Sequence, residues 1–229
     1  MHVHLPKPLH GWREFLGEVG VIVIGVLIAL FAEQIAERIN WAKHVREARE
    51  DLHGELQADL FNAQERVLLA PCIERRLDQL DRIIDHPPAG PWKMLPGRRV
   101  IPIRVWSSSG WDSAVAADTI THMAAKQRAQ FAGVYAFVRK MDQLARDEFA
   151  VATELKTLEH GGPLSEVSKD RLRTDVARVR GYNEVMVLGS EQFSELVREL
   201  GIELTPESRQ ELANLTCPMP ADTLPGGSV

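Results

Sequence analysis

The sequence predicts an all-α protein in which a single N-terminal transmembrane helix continues into an antiparallel bundle of long helices. Three observations support this fold class. An uncharged apolar run occupies residues 19–32, and apolar residues recur at spacings of three and four over most of the remaining chain. Aromatic residues make up only 6% of the chain, while Leu, Ala, Val, Arg and Glu dominate it, which is typical of helical proteins.

The apolar run is interpreted as an uncleaved membrane anchor at residues 12–40. Its 14 uncharged residues span only about 21 Å of helix, which is short for a membrane span. The flanking Trp12 and Trp41 would lie about 43 Å apart, close to the full thickness of a bilayer with its headgroups, and are typical of an aromatic belt. A cleaved signal peptide needs small residues at positions −3 and −1, but cleavage after Ala32 or Ala36 would place leucine or glutamine at −3.

Two fragments resemble a known family. The strings WREFLGEV at residues 12–19 and VIGVLIAL at residues 23–30 are similar to the N-terminal signature of uncharacterised bacterial single-pass membrane proteins. A looser similarity covers GWDSA at residues 110–114, His122 and the helix around Tyr135. The resemblance implies an inner-membrane anchor and a helical extramembrane domain, and it implies no activity.

One face of the anchor carries only small residues. Gly25, Ala29, Ala32 and Ala36 follow one another at offsets of four, three and four, which favours close packing of helices within a membrane. We therefore expect the lipid bilayer as a partner and consider a homodimer or a membrane-protein partner at this face. Such stripes also arise by chance in apolar sequence, so the alternative of no contact stays open.

The charge pattern argues against nucleic-acid binding. Residues 1–32 contain two basic and two acidic side chains, so the formal charge of −5 belongs to residues 33–229. A polyanionic partner normally requires a basic stripe, and none is present.

The bundle is predicted at residues 41–215, between the anchor and a flexible tail at 216–229, with a cytoplasmic segment at 1–11 before the anchor. Long helices are expected at 41–69, 124–158 and 165–200, with Phe149 and Phe193 fully buried between them. Pro71 should end the first of these helices, and a separate second helix should follow at 72–84.

The chain between these helices is rich in proline. Residues 100–106 are predicted to form either a short edge strand or an extended strip on the bundle. A helix should open at Ser109, capped by its own hydroxyl with Asp112 three residues on. Thr205 and Pro206 should begin a last short helix.

Cys72 and Cys217 are the two cysteines of the chain and follow no metal or redox spacing. They form either a disulfide that ties the C-terminus to the bundle or two unrelated small apolar residues. A disulfide would require an oxidising compartment such as the periplasm. Basic residues on both sides of the anchor leave its orientation ambiguous, and we favour a periplasmic bundle because large domains translocate with little regard for charge.

Catalytic and metal-binding signals are weak. Glu50 and His53 resemble half of a carboxylate-bridged metal site, but the second half is missing, so neither a metal nor another cofactor is expected. The sequence has no nucleophile elbow and no phosphate-binding loop, and we predict no enzymatic activity.

Two function classes remain. The first is a membrane-anchored interaction or scaffold protein. The second is a periplasmic ligand-sensing module that signals through a membrane partner, with a pocket near Trp106, Trp111 and Tyr135, although Trp111 is most simply explained as a core residue. A pocket with convergent polar groups would favour sensing, and a filled core with an exposed apolar stripe would favour a scaffold.

Overall fold

The computed structural model describes residues 11–91 and 101–215. These residues form five α-helices and no strand, which confirms the all-α prediction. The helices are α1 (Trp12–Asp85), α2 (Ser109–Ala116), α3 (Ala125–Glu154), α4 (Glu166–Glu199) and α5 (Pro206–Ala213), with 3-10 turns at Thr119–His122 and Leu155–His160. The chain divides into two compact units, Met1–Glu47 and Ala48–Val229.

The first unit contains the apolar part of α1. An 18-residue window of this helix has a mean hydropathy of 2.6, and none of it is buried within the protein. Within the described residues, α1 is the one helix long and apolar enough to cross a membrane. A signal sequence would have the same properties, so retention of the anchor in the mature protein stays a prediction.

Helix α1 runs without interruption through Pro71, so the predicted break and the separate second helix are wrong. Proline removes one backbone hydrogen bond and crowds the preceding turn, which normally disfavours a helix interior. Here the ring lies on the exposed side of the helix. The opposite face keeps one three-and-four spacing across the proline: Ala63, Arg66, Ala70, Ile73, Leu77. Packing of this face on both sides of Pro71 holds the helix together.

The second unit is a bundle of the later part of α1 with α3 and α4. Tyr135 on α3 donates a hydrogen bond to the carbonyl of Leu52 at 3.3 Å, and Glu148 pairs with Arg66 further along, so α3 runs parallel to α1. Helix α4 runs antiparallel to both. The turn between α3 and α4 includes Gly161, which has φ +64° and lies so close to the carbonyl of Gly90 that a Cβ would clash with it.

The bundle core confirms part of the predicted packing. Its largest fully buried apolar side chains include Leu52, Leu56, Leu77, Leu80, Ile84, Phe131, Tyr135, Val138, Met141, Leu155 and Phe193. Phe149, however, is 43% exposed, so its predicted burial is wrong. The neighbouring Glu148 takes the inward position because Arg66 pairs with it there.

Residues 101–108 belong to no helix or strand and lie against α1, where Asn62 binds the Val105 carbonyl, and we call this segment the strap. Residues 101–106 form no strand, so the predicted edge strand is not found there, and the segment packs on the bundle through the buried Ile101 and Trp106; residue 100 lies outside the described residues. Helix α2 begins at Ser109 as expected, but its N-cap position is Ser108, whose own side chain does not cap the helix, so the predicted capping pair of Ser109 and Asp112 is wrong. Helix α5 begins with Pro206, and Thr205 caps it by accepting a hydrogen bond from the Ser208 N–H at 3.1 Å, as predicted.

Candidate functional site

The strap is held to α1 by polar side chains of one face of that helix. Asn62 donates from Nδ2 to the carbonyl of Val105 at 3.1 Å. Arg104 binds the buried Glu65 through two hydrogen bonds, of 2.5 Å from Nε and 2.6 Å from an Nη. This two-bond pairing of a guanidinium with a carboxylate fixes both distance and orientation, so the strap has one register on α1.

Glu55 holds the junction between the strap and α2. Its carboxylate accepts hydrogen bonds from the hydroxyls of Ser107, at 2.5 Å, and Ser109, at 2.8 Å. The backbone N–H of Gly110 adds contacts of 3.1 Å to both oxygens, so an acid from α1 satisfies the first turn of α2. Burial raises the pKa of Glu55, but the hydrogen bonds from Ser107, Gly110 and Ser109 outweigh it and lower that pKa below its usual range.

Asp59 lies one turn further along α1 and is only 1% exposed. Its Oδ1 accepts a hydrogen bond from the Ser107 N–H at 3.2 Å, while Oδ2 is buried without a partner among the described residues. The pKa of Asp59 is raised to about 7, mainly by burial and also by the nearby Glu55 and Asp142, against the lowering effect of the Ser107 N–H. The side chain therefore changes charge near neutral pH.

A buried polar network joins the three long helices. Arg66 on α1 binds Glu148 on α3 with two hydrogen bonds, of 2.5 and 2.9 Å, and binds Asn183 on α4 at 2.9 Å. Asn183 in turn donates to Glu74 at 2.8 Å, and Arg180 donates to the other oxygen of Glu74 at 2.9 Å. Glu148 is 1% exposed, so loss of either member of the ion pair would leave a buried charge without its partner.

A cavity of about 240 Å³ lies next to this network, between the strap, α1 and α3. Its apolar walls include Ile101, Trp106 and Phe149, which explains why Phe149 is exposed: its ring stands at the cavity. Arg66 also lines the cavity. The buried Nε–H of this arginine has no hydrogen-bond partner among the described residues.

No family model, no curated protein and no solved structure matches this chain.

The three residues predicted for a ligand pocket lie in two different places. Trp106 lines the cavity and packs edge-on against Phe193, with ring centroids 5.2 Å apart. Trp111 stacks on Tyr135 at 5.5 Å, and both are buried away from the residues that line the cavity. Burial and the nearby Glu55 raise the pKa of Tyr135, which keeps its hydroxyl protonated. Ligand binding by these residues stays a prediction.

The other predicted sites are only partly described. Gly25, Ala29, Ala32 and Ala36 lie exposed on α1, and a Cβ added at Gly25 would meet no other atom within 4 Å. Their packing against a partner helix stays a prediction. The disulfide between Cys72 and Cys217 also stays a prediction, because Cys217 lies outside the described residues.

Metal binding finds no support in the described part of the chain. No group of three or more His, Cys, Asp or Glu residues there is arranged to hold an ion. His53, considered as half of a metal site, instead packs its ring edge-on against Phe131 at 5.9 Å. The pKa of His53 is lowered mainly by burial and to a smaller extent by the nearby positive charge of Arg49.

Sequence reasoning missed the polar residues that build the site. Glu55, Asp59 and Glu65 lie in a helix full of charged residues, so nothing in their type distinguishes them from a solvated face. Their spacing gives only a partial signal, since the offset of four places Glu55 and Asp59 on one face of the helix.

Proposed function

We propose that this protein is a membrane-anchored helical interaction protein of the bacterial inner membrane, with no catalytic activity assigned to it. The observation that carries the proposal is the exposed apolar part of α1, which has a mean hydropathy of 2.6 and is not buried by the part of the chain that the structure describes. An apolar surface of this size is unfavourable in water and is stabilised by lipid or by another apolar helix.

The continuity of α1 supports tethering of the bundle. The same helix contains the apolar window and, from Ala48 onward, the first long helix of the bundle. Charged residues such as Lys43 and Glu47, whose side chains approach to 3.6 Å and are both exposed, mark where the helix surface becomes suited to water. The proposed partners are therefore lipid at residues 12–40, with a second copy or a membrane protein at the small-residue face.

We place the bundle in the periplasm. The support is the predicted disulfide and the weak effect of flanking charges on large domains. A C-terminal alkaline phosphatase fusion should be active in cells, because this enzyme folds only where its disulfides form. Activity of a cytoplasmic reporter at the same position, with an inactive phosphatase, would reverse the orientation.

Membrane anchoring is tested by placing charge in the centre of the apolar window. A Val23→Arg, Val26→Arg double variant should no longer sediment with membranes after alkaline carbonate washing, because each arginine costs about 2.5–3.5 kcal/mol at the centre of a span. The matched Val23→Leu, Val26→Leu variant should remain in the membrane. The intact mass of the membrane-bound protein decides between an anchor and a cleaved signal. A mass that lacks the first 30 or so residues would refute the anchor.

Ligand sensing is the second candidate function, and the cavity beside Trp106 is the observation that favours it. It combines apolar walls with convergent charged side chains, the usual character of a small-molecule site. If sensing occurs, a bound ligand should change the pattern of chemical cross-links between the chain and its membrane partners. An unchanged pattern with the cavity occupied would refute sensing.

A further inference from the structure

Asp59 has acids rather than cations as its charged neighbours. Glu55 precedes it by one turn on α1, Asp142 belongs to α3, and both raise the pKa of Asp59. The strap contributes the uncharged Ser107 N–H, which donates to Oδ1 at 3.2 Å. From α3, Tyr135 is also within range of the charge on Asp59, which helps to raise the pKa of the Tyr135 hydroxyl and keeps that hydroxyl neutral.

The arginines in the neighbouring cavity wall are already bound to other carboxylates. Their pairs are Arg66 with Glu148, Arg104 with Glu65, and Arg146 with Asp142. From α4, the uncharged Phe193 packs edge-on against Trp106, the strap residue next to Ser107. The Oδ2 atom of Asp59 is buried and has no partner among the described residues. A negative charge on Asp59 would therefore have no cation to balance it.

An ionised Asp59 is poorly accommodated beneath the closed strap. Its charge would be buried, would receive one hydrogen bond and would lie near two like charges. These effects outweigh the hydrogen bond from the Ser107 N–H, which by itself favours the ionised form, and they produce the raised pKa described above. Contact with water would remove most of this penalty, so any movement that exposes Asp59 becomes more favourable once the proton is lost.

The strap is the element around Asp59 that can move most readily. It belongs to no helix or strand, and its residues Arg104 and Val105 are exposed. Two buried side chains, Ile101 and Trp106, and polar contacts to α1 hold it in place. The three long helices, by contrast, are held together by the fully buried side chains of the bundle core. Movement of the strap therefore exposes Asp59 at a lower cost in free energy than separation of the helices.

We propose that Asp59 is a pH-sensitive latch for the strap: the protonated carboxyl keeps the strap closed on α1, and loss of the proton to solvent releases it. Release also withdraws Ile101 and Trp106 from the cavity, because both residues belong to the strap and line the cavity. The latch is a property of the bundle itself and does not depend on the partner or the ligand of the proposed function.

The size of the effect follows from the linkage between proton loss and opening. In the closed form the pKa of Asp59 is about 7, and full exposure to water would return it towards its ordinary value of 3.8. A rise from about pH 5 to about pH 8 then increases the ratio of open to closed protein by up to about 80-fold. Partial exposure of Asp59 in the open form gives a smaller increase, and an open form that leaves Asp59 buried gives none.

The test measures how fast a thiol beneath the strap reacts with dithiodipyridine, using the full chain in lipid nanodiscs. Ile101→Cys places this thiol at a buried strap position, and Val105→Cys, at a strap position that is 73% exposed, gives the reactivity of an accessible thiol at each pH. Ala63→Cys, at a fully buried position of α1, reports opening of the long helices. Any reaction of Cys72 and Cys217, measured in the unaltered chain, is subtracted.

The Ile101→Cys rate, divided by the Val105→Cys rate, should rise by about ten- to 80-fold between about pH 5 and about pH 8. At the higher pH it should exceed the corresponding Ala63→Cys ratio by at least about ten-fold. A change with pH of less than about three-fold, or no reaction at either pH, would overturn the latch. Similar rates for Ile101→Cys and Ala63→Cys would also overturn it, because only unfolding of the whole bundle would then uncover the strap.

Substitutions of acids assign the pH dependence to Asp59. Asp59→Asn has nearly the same shape but stays uncharged, so the rise with pH should disappear, whereas Asp51→Asn, at an exposed position of α1, should keep it. Asp142→Asn removes one like charge, which should lower the pKa of Asp59 and reduce the rise. If Asp59→Asn does not fold, Asp142→Asn decides the outcome. A full rise in Asp59→Asn, or an unchanged rise in Asp142→Asn, would overturn the proposal.

Discussion

Replacement of Asp59 by asparagine should remove a pH dependence from the stability of the bundle. The pKa of Asp59 is raised from 3.8 to about 7 in the folded protein, mainly by burial. Between these two pH values the folded state binds a proton at Asp59 that the unfolded state does not. The stabilisation from this proton is therefore complete below pH 3.8 and is lost as the pH rises towards 7. Each pH unit in this window corresponds to about 1.4 kcal/mol.

The magnitude follows from the width of the window. Between about pH 5 and about pH 8 the free energy of unfolding of the wild type should fall by roughly 2–3 kcal/mol relative to that of Asp59→Asn. This change does not depend on the absolute stability of the variant. Urea unfolding of both proteins at several pH values, followed by circular dichroism, measures this difference. Asp51→Asn, at an exposed position of the same helix, is the matched control and should follow the wild type. A constant difference between wild type and Asp59→Asn across this range would refute the reasoning, since it would mean that Asp59 titrates alike in both states.

Three further predictions concern packing, the strap and the cysteines. Phe193→Ala should lower the free energy of unfolding in urea by about 3–5 kcal/mol, whereas Phe149→Ala should lower it by less than about 1 kcal/mol because Phe149 is 43% exposed. Similar losses for the two variants would show that the buried faces are assigned wrongly. Glu55→Ala should cost about 1–3 kcal/mol and speed proteolysis within the strap, because it leaves the Gly110 N–H and the hydroxyls of Ser107 and Ser109 without their acceptor, and unchanged cleavage would contradict this role. Cys72 and Cys217 should resist thiol labelling in denatured, unreduced protein, and reduction should cost about 2–4 kcal/mol; free labelling of both would exclude the disulfide.

The helices themselves could be predicted from the sequence because their apolar spacing is regular. Phe131, Val138 and Phe193 lie where that spacing places them, and Thr205 and Gly161 mark helix ends by their own local chemistry. The continuation of α1 through Pro71 could also have been read from the unbroken spacing of its buried face. In this helix the packing of that face outweighs the local preference of proline.

The buried polar residues could not be predicted in the same way. Glu148 and Phe149 are neighbours on α3, and hydropathy alone assigns the phenylalanine to the core and the glutamate to the surface. The structure shows the opposite because Arg66, which is 82 positions away in the chain, supplies two hydrogen bonds to Glu148. A pairing between distant charged residues leaves no periodic trace in a single sequence, so the sequence pointed to only one wall of the cavity beside it, Trp106.

The strap has a consequence for how the bundle opens. Its residues belong to no helix or strand, so its amide groups lack the regular partners that slow hydrogen exchange elsewhere. It is attached by polar groups on one face of α1, among them Glu55, Asn62 and Glu65. Two buried apolar side chains of the strap itself, Ile101 and Trp106, add to this attachment. We expect the strap to detach as a cooperative unit while the three long helices stay folded, so that its amides exchange together, at a free energy well below that of global unfolding.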